Sequence, residues 1–218
     1  MKQRNLSAII DVKGLYEIDK NGYWSNEMRK KVKLVENKKQ SLFRTVFGMM
    51  INPSGTLKNA LLSTKWYFSV LISGLAFGLF FGQTGLDLYK TGQKGIGFVW
   101  LSGAAGIVYG LLAIPLIGFF IWTVLKMSRS DRKVKETISS FCLSYSGALV
   151  YGVLGIVFSL ALGWKTSVAF GVTGVLWAIG PMIITIRELT GGKNTLSVPL
   201  ATAVGAVVLI SWSVFGNL

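Results

Sequence analysis

Histidine is absent from the 218 residues, and cysteine occurs only once, as Cys142. Without histidine, the chain lacks the side chain most often used as a general base or a metal ligand. A single cysteine can form neither an internal disulfide nor, with no histidine to join it, a zinc site. No GxGxxG or GxxxxGK[ST] loop stands between a strand and a helix, and no serine-centred elbow or carboxylate pair occurs. The sequence therefore predicts no catalytic site, no metal and no cofactor.

Acidic residues are also few, because 9 Asp and Glu stand against 23 Lys and Arg, giving a formal net charge of +14. Charged residues make up 15% of the chain and hydrophobic residues 51%, whereas a soluble domain carries about a quarter charged residues. Residues 1–65 alone hold 13 of the basic and 5 of the acidic residues. This asymmetry indicates a polar N-terminal segment joined to a membrane segment.

Five apolar stretches meet or approach the length of about 20 residues that a bilayer-spanning helix needs. None of them contains Asp, Glu, Lys or Arg, and a charged residue inside a span is the usual mark of an ion or proton pathway. The absence of charged residues from the five stretches argues against a proton-coupled transporter. The predicted fold is all-α, a polytopic bundle of five transmembrane helices. The predicted spans are 66–84, 96–125, 138–162, 167–186 and 196–215.

Lysine and arginine predict the orientation of this bundle. With the N-terminus in the cytoplasm, the cytoplasmic segments hold 20 basic residues and the external ones only Lys90, Lys94 and Lys165. Cytoplasmic segments normally carry this excess, so we expect the cytoplasmic (inner) cell membrane, with the N-terminus inside and the C-terminus outside. The apolar run 6–10 is too short for a secretory signal, so the first span is expected to direct insertion.

Residues 1–40 form a basic region expected to lie in the cytosol. The Asn21-Gly22 pair favours a tight turn and so a small hairpin over 15–25, although an isolated hairpin is marginal in water. Disorder and docking on the membrane domain are the alternatives. A basic run beside a membrane favours anionic lipid headgroups, at about 1 kcal/mol per basic residue, over nucleic acid. The run includes Arg29, Lys30, Lys31 and Lys33.

Residues 41–51 are predicted to form an amphipathic helix that is too short to cross a bilayer. Apolar residues fall at helical spacing on one stripe, and Arg44 lies off it. Such a helix lies in the membrane interface or packs on the bundle, and the two arrangements are compatible. Asn52 is a good N-cap and Pro53 suits the first helical position, so a new helix is expected to begin there. The stripe comprises Phe43, Val46, Phe47, Met50 and Ile51.

Small residues recur at every fourth position on the first two spans. Such residues let helix backbones approach closely, which favours helix association in lipid. A seam within the chain is favoured over one between subunits, and an oligomer is left open. Pro115 and Pro181 lie inside the second and fourth spans and are expected to bend them. The small residues are Gly74, Gly78, Gly82, Ser102, Gly106 and Gly110.

The segment Phe43–Leu62, FRTVFGMMINPSGTLKNALL, and the spans after it resemble the Yip (Ypt-interacting protein) domain family over residues 42–215. The resemblance, to the prokaryotic branch, implies a membrane domain over 41–218 with an interfacial helix, an Asn-Pro break and five spans. Eukaryotic relatives bind Rab-type GTPases and carry an Asp-Leu-Tyr-Gly-Pro type signature before the first span. That signature is missing here, so the GTPase-binding role is not carried over. Some prokaryotic members look like accessory proteins of ABC-type exporters.

These observations favour a non-catalytic membrane scaffold or adaptor that engages anionic lipid and a protein partner, such as an exporter subunit. The alternative is a small transporter or channel subunit, accessory to an ABC-type exporter. The two differ in one measurable property, since a scaffold alone should give no substrate flux in liposomes.

The orientation can be tested by cysteine labelling in whole cells. A cysteine at Thr91 should react with a membrane-impermeant thiol reagent added outside, whereas one at Ser130 should react only after permeabilisation, because the basic residues place 126–137 inside. The unsubstituted protein gives the background from Cys142. Labelling of both positions in intact cells would contradict the predicted arrangement.

Overall fold

The computed structural model describes residues 42–57, 66–127, 132–192 and 194–216, all within one compact unit that runs from residue 40 to the C-terminus. These residues are almost entirely helical, and no strand occurs among them. The helices are α1 Leu42–Ile51, α2 Trp66–Lys90, α3 Ile96–Met127, α4 Val134–Leu143, α5 Ser146–Leu162, α6 Ser167–Leu189 and α7 Asn194–Gly216.

Among the described residues, five helical stretches are long and apolar enough to cross a membrane, with α4 and α5 together forming one of them. The predicted all-α, polytopic helix bundle is therefore confirmed, as expected of a multi-pass membrane protein. The basic region 1–40 lies outside the described residues, and so does the hairpin predicted within it. The same is true of the predicted headgroup-binding residues Arg29, Lys30, Lys31 and Lys33.

The first span is longer than predicted, because α2 ends at Lys90 and not at residue 84. It therefore contains Asp87 and Lys90 near its end, whereas the predicted span stops before both. The predicted span is too short because hydropathy falls where polar residues begin, at Gln83. In this last part of the helix, Asp87 accepts a hydrogen bond from the amide of Thr166, and Lys90 donates to Ser159 near the end of α5.

The third span is not one helix over 138–162, because α4 and α5 are separated at Ser144 and Tyr145. The amide of Tyr145 donates to the carbonyl of Cys142 at 3.2 Å, a tighter turn than the α-helical one. The hydroxyl of Ser146 donates to the carbonyl of Leu143 at 2.7 Å. Serine hydroxyls that bond nearby carbonyls compete with the helix, which explains a break without proline or glycine.

The other spans differ from prediction mainly at their ends. Residues 109–113 of α3 form a π-helical turn just before Pro115, so the expected irregularity at this proline takes the form of a wider turn. A second π-helical turn, over 167–172, opens α6. The helix continues through Pro181, and α7 likewise contains Pro199.

The centre of the bundle is α2. In the most apolar 18-residue stretch of α2, 67% is buried, compared with 28% in the corresponding stretch of α3 and 22% in that of α7. Its ring Phe77 lies 5.0 Å from Tyr145 and 5.2 Å from Tyr109, measured between centroids. Helices α3, α4, α5 and the start of α6 all pack on α2, so its position determines theirs.

The small residues of α2 and α3 meet within the chain. A Cβ added to Gly110 would lie 2.7 Å from the Cα of Gly74. One added to Gly78 would lie 2.6 Å from a side-chain carbon of Ile107. The backbone of α2 therefore leaves no room for a side chain at Gly110, and the side chain of Ile107 occupies the space beside Gly78.

The close contact between α2 and α3 continues beyond these two positions. A Cβ on Gly106 would lie 2.8 Å from that of Phe81 and would also overlap the Phe77 carbonyl. Gly82 instead faces Gly103, which was not among the predicted positions, at 3.9 Å. Ser102 is buried, and its hydroxyl donates to the carbonyl of Phe98.

Substituting Gly106 tests the seam at its tightest described point. Gly106→Ala should lower the free energy of unfolding by about 1–3 kcal/mol through overpacking, since the new methyl group must displace backbone. Gly97→Ala is the matched control, because a Cβ there meets nothing within 4 Å. It should be neutral or mildly stabilising, since alanine favours helix. Equal thermal midpoints for the two variants in detergent would contradict the seam.

Candidate functional site

The surface helix α1 packs on the bundle through a face that the apolar pattern did not identify. Thr45 and Met49, four residues apart, are 1% and 0% exposed. Met49 clusters with Leu57, Ile72 and Leu143, so it contacts both α2 and α4. This face holds α1 against protein.

The opposite face of α1 is apolar and exposed. Phe43, Phe47 and Ile51 are 77%, 47% and 83% exposed, and their spacing of four places them on one side of the helix. Val46 and Met50 lie between the two faces and are half-buried. The predicted stripe is therefore divided, because an apolar pattern does not distinguish a surface facing protein from one facing lipid.

The chain changes direction at Asn52, between α1 and the helical residues 53–57. The side-chain oxygen of Asn52 accepts the amide of Gly55 at 3.1 Å, which is the geometry of an N-cap. One residue past Pro53, the Ser54 hydroxyl donates to the carboxylate of Glu188 at 2.6 Å. The break thereby ties the surface helix to the end of α6.

A second group of residues lies at the turn 163–166, which joins α5 to α6. The carboxylate of Asp87 accepts the amides of Thr166 at 2.9 Å and Ser167 at 2.8 Å. These amides begin α6 and have no partner in their own helix. Asp87 therefore caps α6 from a different helix, with a negative charge at the positive end of the helix dipole.

Lys90 makes the complementary contact at the end of α5. Its ammonium donates to the Ser159 hydroxyl at 2.6 Å, to the Ser159 carbonyl, and to the Trp164 carbonyl at 3.3 Å. A cation is favourable at the negative C-terminus of a helix. Because Asp87 and Lys90 are three residues apart, they share one face of α2. Together they form hydrogen bonds to the residues on both sides of the turn 163–166.

Sequence reasoning missed this pair by placing both residues in a loop. The available signal was an acid and a base at helical spacing directly after an apolar run. The pattern alone does not name their partners, which lie far along the chain.

Hydrogen bonds made by side chains also connect the helices inside the bundle. Ser69 and Ser139 share a hydrogen bond of 2.7 Å. The amide nitrogen of Gln83 donates to the carbonyl of Gly152 at 2.7 Å. The indole of Trp212 donates to Thr84 at 2.7 Å. Each such bond is worth about 0.6 kcal/mol in a membrane protein.

Within the part of the chain that the structure describes, four buried side-chain atoms have no hydrogen-bond partner: Gln83 Oε1, Ser140 Oγ, Tyr145 Oη and Thr166 Oγ1. Ser140 and Tyr145 flank the break between α4 and α5. The same described ranges contain no cluster of His, Cys, Asp or Glu that could hold a metal ion. The buried atoms without a partner in these ranges are thus three neutral hydroxyls and an amide oxygen.

No protein-family model, curated protein or solved structure matches the chain.

Removing the Asp87 carboxylate tests the cap across helices. Asp87→Ala should lower the free energy of unfolding by about 1–2 kcal/mol, as for the loss of an N-cap, because the amides of Thr166 and Ser167 lose their acceptor in a buried position. Lys90→Met should also destabilise, by a smaller amount, because it keeps the aliphatic stem. Thermal unfolding in detergent measures both.

Lys165→Met is the matched control, because Lys165 is exposed in the same turn. It removes a charge of the same sign as Lys90 without removing a described cap. If it destabilised as much as Lys90→Met, the effect would be one of net charge and not of capping.

Proposed function

We propose that this protein is a non-catalytic membrane scaffold or adaptor of the Yip-domain type, in which α1 lies in the membrane interface. The observation that carries the proposal is the two-sided burial of α1. Met49 is fully buried against the bundle, while Phe43 and Ile51 are 77% and 83% exposed on the other side. An apolar stripe held outward in this way suits insertion between lipid headgroups.

The surroundings of α1 support a position at the membrane boundary. Trp66 and Tyr67 open α2 and are 52% and 54% exposed, and such rings favour the headgroup level. Arg44 is exposed on α1, and the basic run at 29–33 precedes it. These cations would attract anionic headgroups. The proposed location is the cytoplasmic membrane, with the N-terminus inside and the C-terminus outside.

A partner in the same membrane completes the proposal, and an exporter subunit is the class that the Yip resemblance favours. The exposed side chains of α3 would be available to it, since Trp100 and Leu112 are 78% and 67% exposed. Purification of the tagged chain from native membranes, with mild detergent, should recover a stoichiometric membrane protein. Recovery of the chain alone, from membranes that contain every native partner, would contradict the adaptor role.

A small transporter or channel subunit is the second candidate, and one observation favours it. The third span is broken at Ser144 and Tyr145, and the buried hydroxyls of Ser140 and Tyr145 have no partner among the described residues. Transporters commonly place broken helices at their binding sites. Substrate flux through liposomes that contain only this protein would favour transport over the adaptor role.

The position of α1 can be measured with spin labels in proteoliposomes. A label at Phe47→Cys should collide with oxygen more than with a water-soluble nickel reagent, because the exposed stripe would lie among acyl chains. A label at Gln93→Cys, in an exposed turn, is the aqueous control and should show the reverse. Native Cys142 is buried and should remain unlabelled. Equal accessibility at both sites would contradict interfacial insertion.

A further inference from the structure

A groove of about 450 Å³ lies between α1, the start of the helical segment 53–57, and α6. Its walls are apolar, and Gly180 forms part of its floor. A Cβ added at Gly180 would meet nothing within 4 Å, so the missing side chain keeps the groove open. The lining includes Met50, Ile51, Pro53, Trp177, Gly180 and Ile184.

We propose that this groove binds one acyl chain of an anionic phospholipid, whose phosphate pairs with Arg187. The proposal rests on the proposed interfacial position of α1, and it names the lipid and the site. It differs from general lipid contact because the chain would lie between two protein walls and not against the outside of one helix.

The distance along α6 from Arg187 to the groove matches one leaflet. Leu176 is the groove residue of α6 furthest from Arg187 in the chain, and the helix between the two rises by about 16 Å at 1.5 Å per residue. The hydrocarbon core of a bilayer is about 30 Å thick, so this distance is close to half of it. An acyl chain that starts at the headgroup level beside Arg187 would therefore end near Leu176.

The charges at the end of the groove favour an anionic headgroup. Arg187 is exposed and follows Ile184 by three residues, so the two share a face of α6. The neighbouring Glu188 accepts a hydrogen bond from Ser54, which directs its carboxylate toward the segment 53–57. A guanidinium group matches the two oxygens of a phosphate better than an ammonium group does.

The surface helix supplies the wall that makes this site selective. Met50 and Ile51 lie at the end of α1, and Asn52 turns the chain so that Pro53 also reaches the groove. A lipid bound here would contact α1 and α6 together, and would therefore stabilise α1 on the bundle. The groove and the exposed stripe of α1 would then serve one purpose, which is to hold this helix at the interface.

Native mass spectrometry of the purified full chain tests the site, with an anionic phospholipid, phosphatidylglycerol, as the probe. The wild type should retain one bound lipid in detergent. Gly180→Leu should lose it, because the new side chain fills the groove. Gly97→Leu is the matched control, since this glycine also has open space around its Cβ, and it should retain the lipid.

Arg187→Gln tests the headgroup. It should weaken phosphatidylglycerol binding by about tenfold, the equivalent of about 1.4 kcal/mol, and should remove the preference over zwitterionic phosphatidylcholine. Quenching of Trp177 by lipids brominated on the acyl chain gives an independent reading, with Trp177→Phe to identify its contribution. The quenched component should disappear in Gly180→Leu.

An unchanged lipid count in Gly180→Leu would overturn the proposal. If Gly180→Leu abolished a dimer and not lipid binding, the proposal would also be overturned, because a second copy of the chain would then occupy the groove. Retained lipid in the wild type, together with a water-exposed label at Phe47, would contradict the interfacial insertion of α1 and leave the groove site standing. The two failures are therefore distinguishable.

Discussion

Close approach between α2 and its neighbours is the constraint on which the rest of the bundle depends. Helices in lipid gain nothing from covering apolar surface, because the acyl chains are equally apolar. Association must come from tight packing and from hydrogen bonds, and α2 supplies both. Gly74 brings it against Gly110 of α3, while Ser69 bonds to Ser139 of α4. A wider separation would lose both kinds of contact.

The charged end of α2 extends this role to the α5–α6 hairpin. Asp87 and Lys90 match the opposite dipole ends of two helices, and so they fix where one ends and the next begins. Lys90 is exposed, but Asp87 is buried, and burying a charge is costly unless it is paired and hydrogen-bonded. Here the partners include backbone groups at helix ends that would otherwise lack a hydrogen-bond acceptor or donor. The same hydrogen bonds therefore offset the cost of the charge and the cost of leaving these backbone groups unpaired.

The surface helix has one face buried against protein and an opposite apolar face that is exposed. Its buried face depends on Met49, and its direction on the Asn52 cap and the Ser54 contact with Glu188. The Met49 cluster and the Ser54 contact join this part of the chain to the bundle, so the exposed apolar side chains of α1 face away from the bundle.

The sequence by itself determined the fold class, the existence of five spans and the existence of α1, because hydrophobic length and period report directly on helices in a membrane. Only the tertiary structure decided which face of α1 is buried, since Met49 and Phe47 are equally apolar. It also decided that α2 continues to Lys90 and that the third span breaks at Ser144. The buried face of α1 and the end of α2 depend on partners distant in the chain, about which local patterns carry no information. The break at Ser144 involves nearby carbonyls, but hydropathy does not report on such hydrogen bonds.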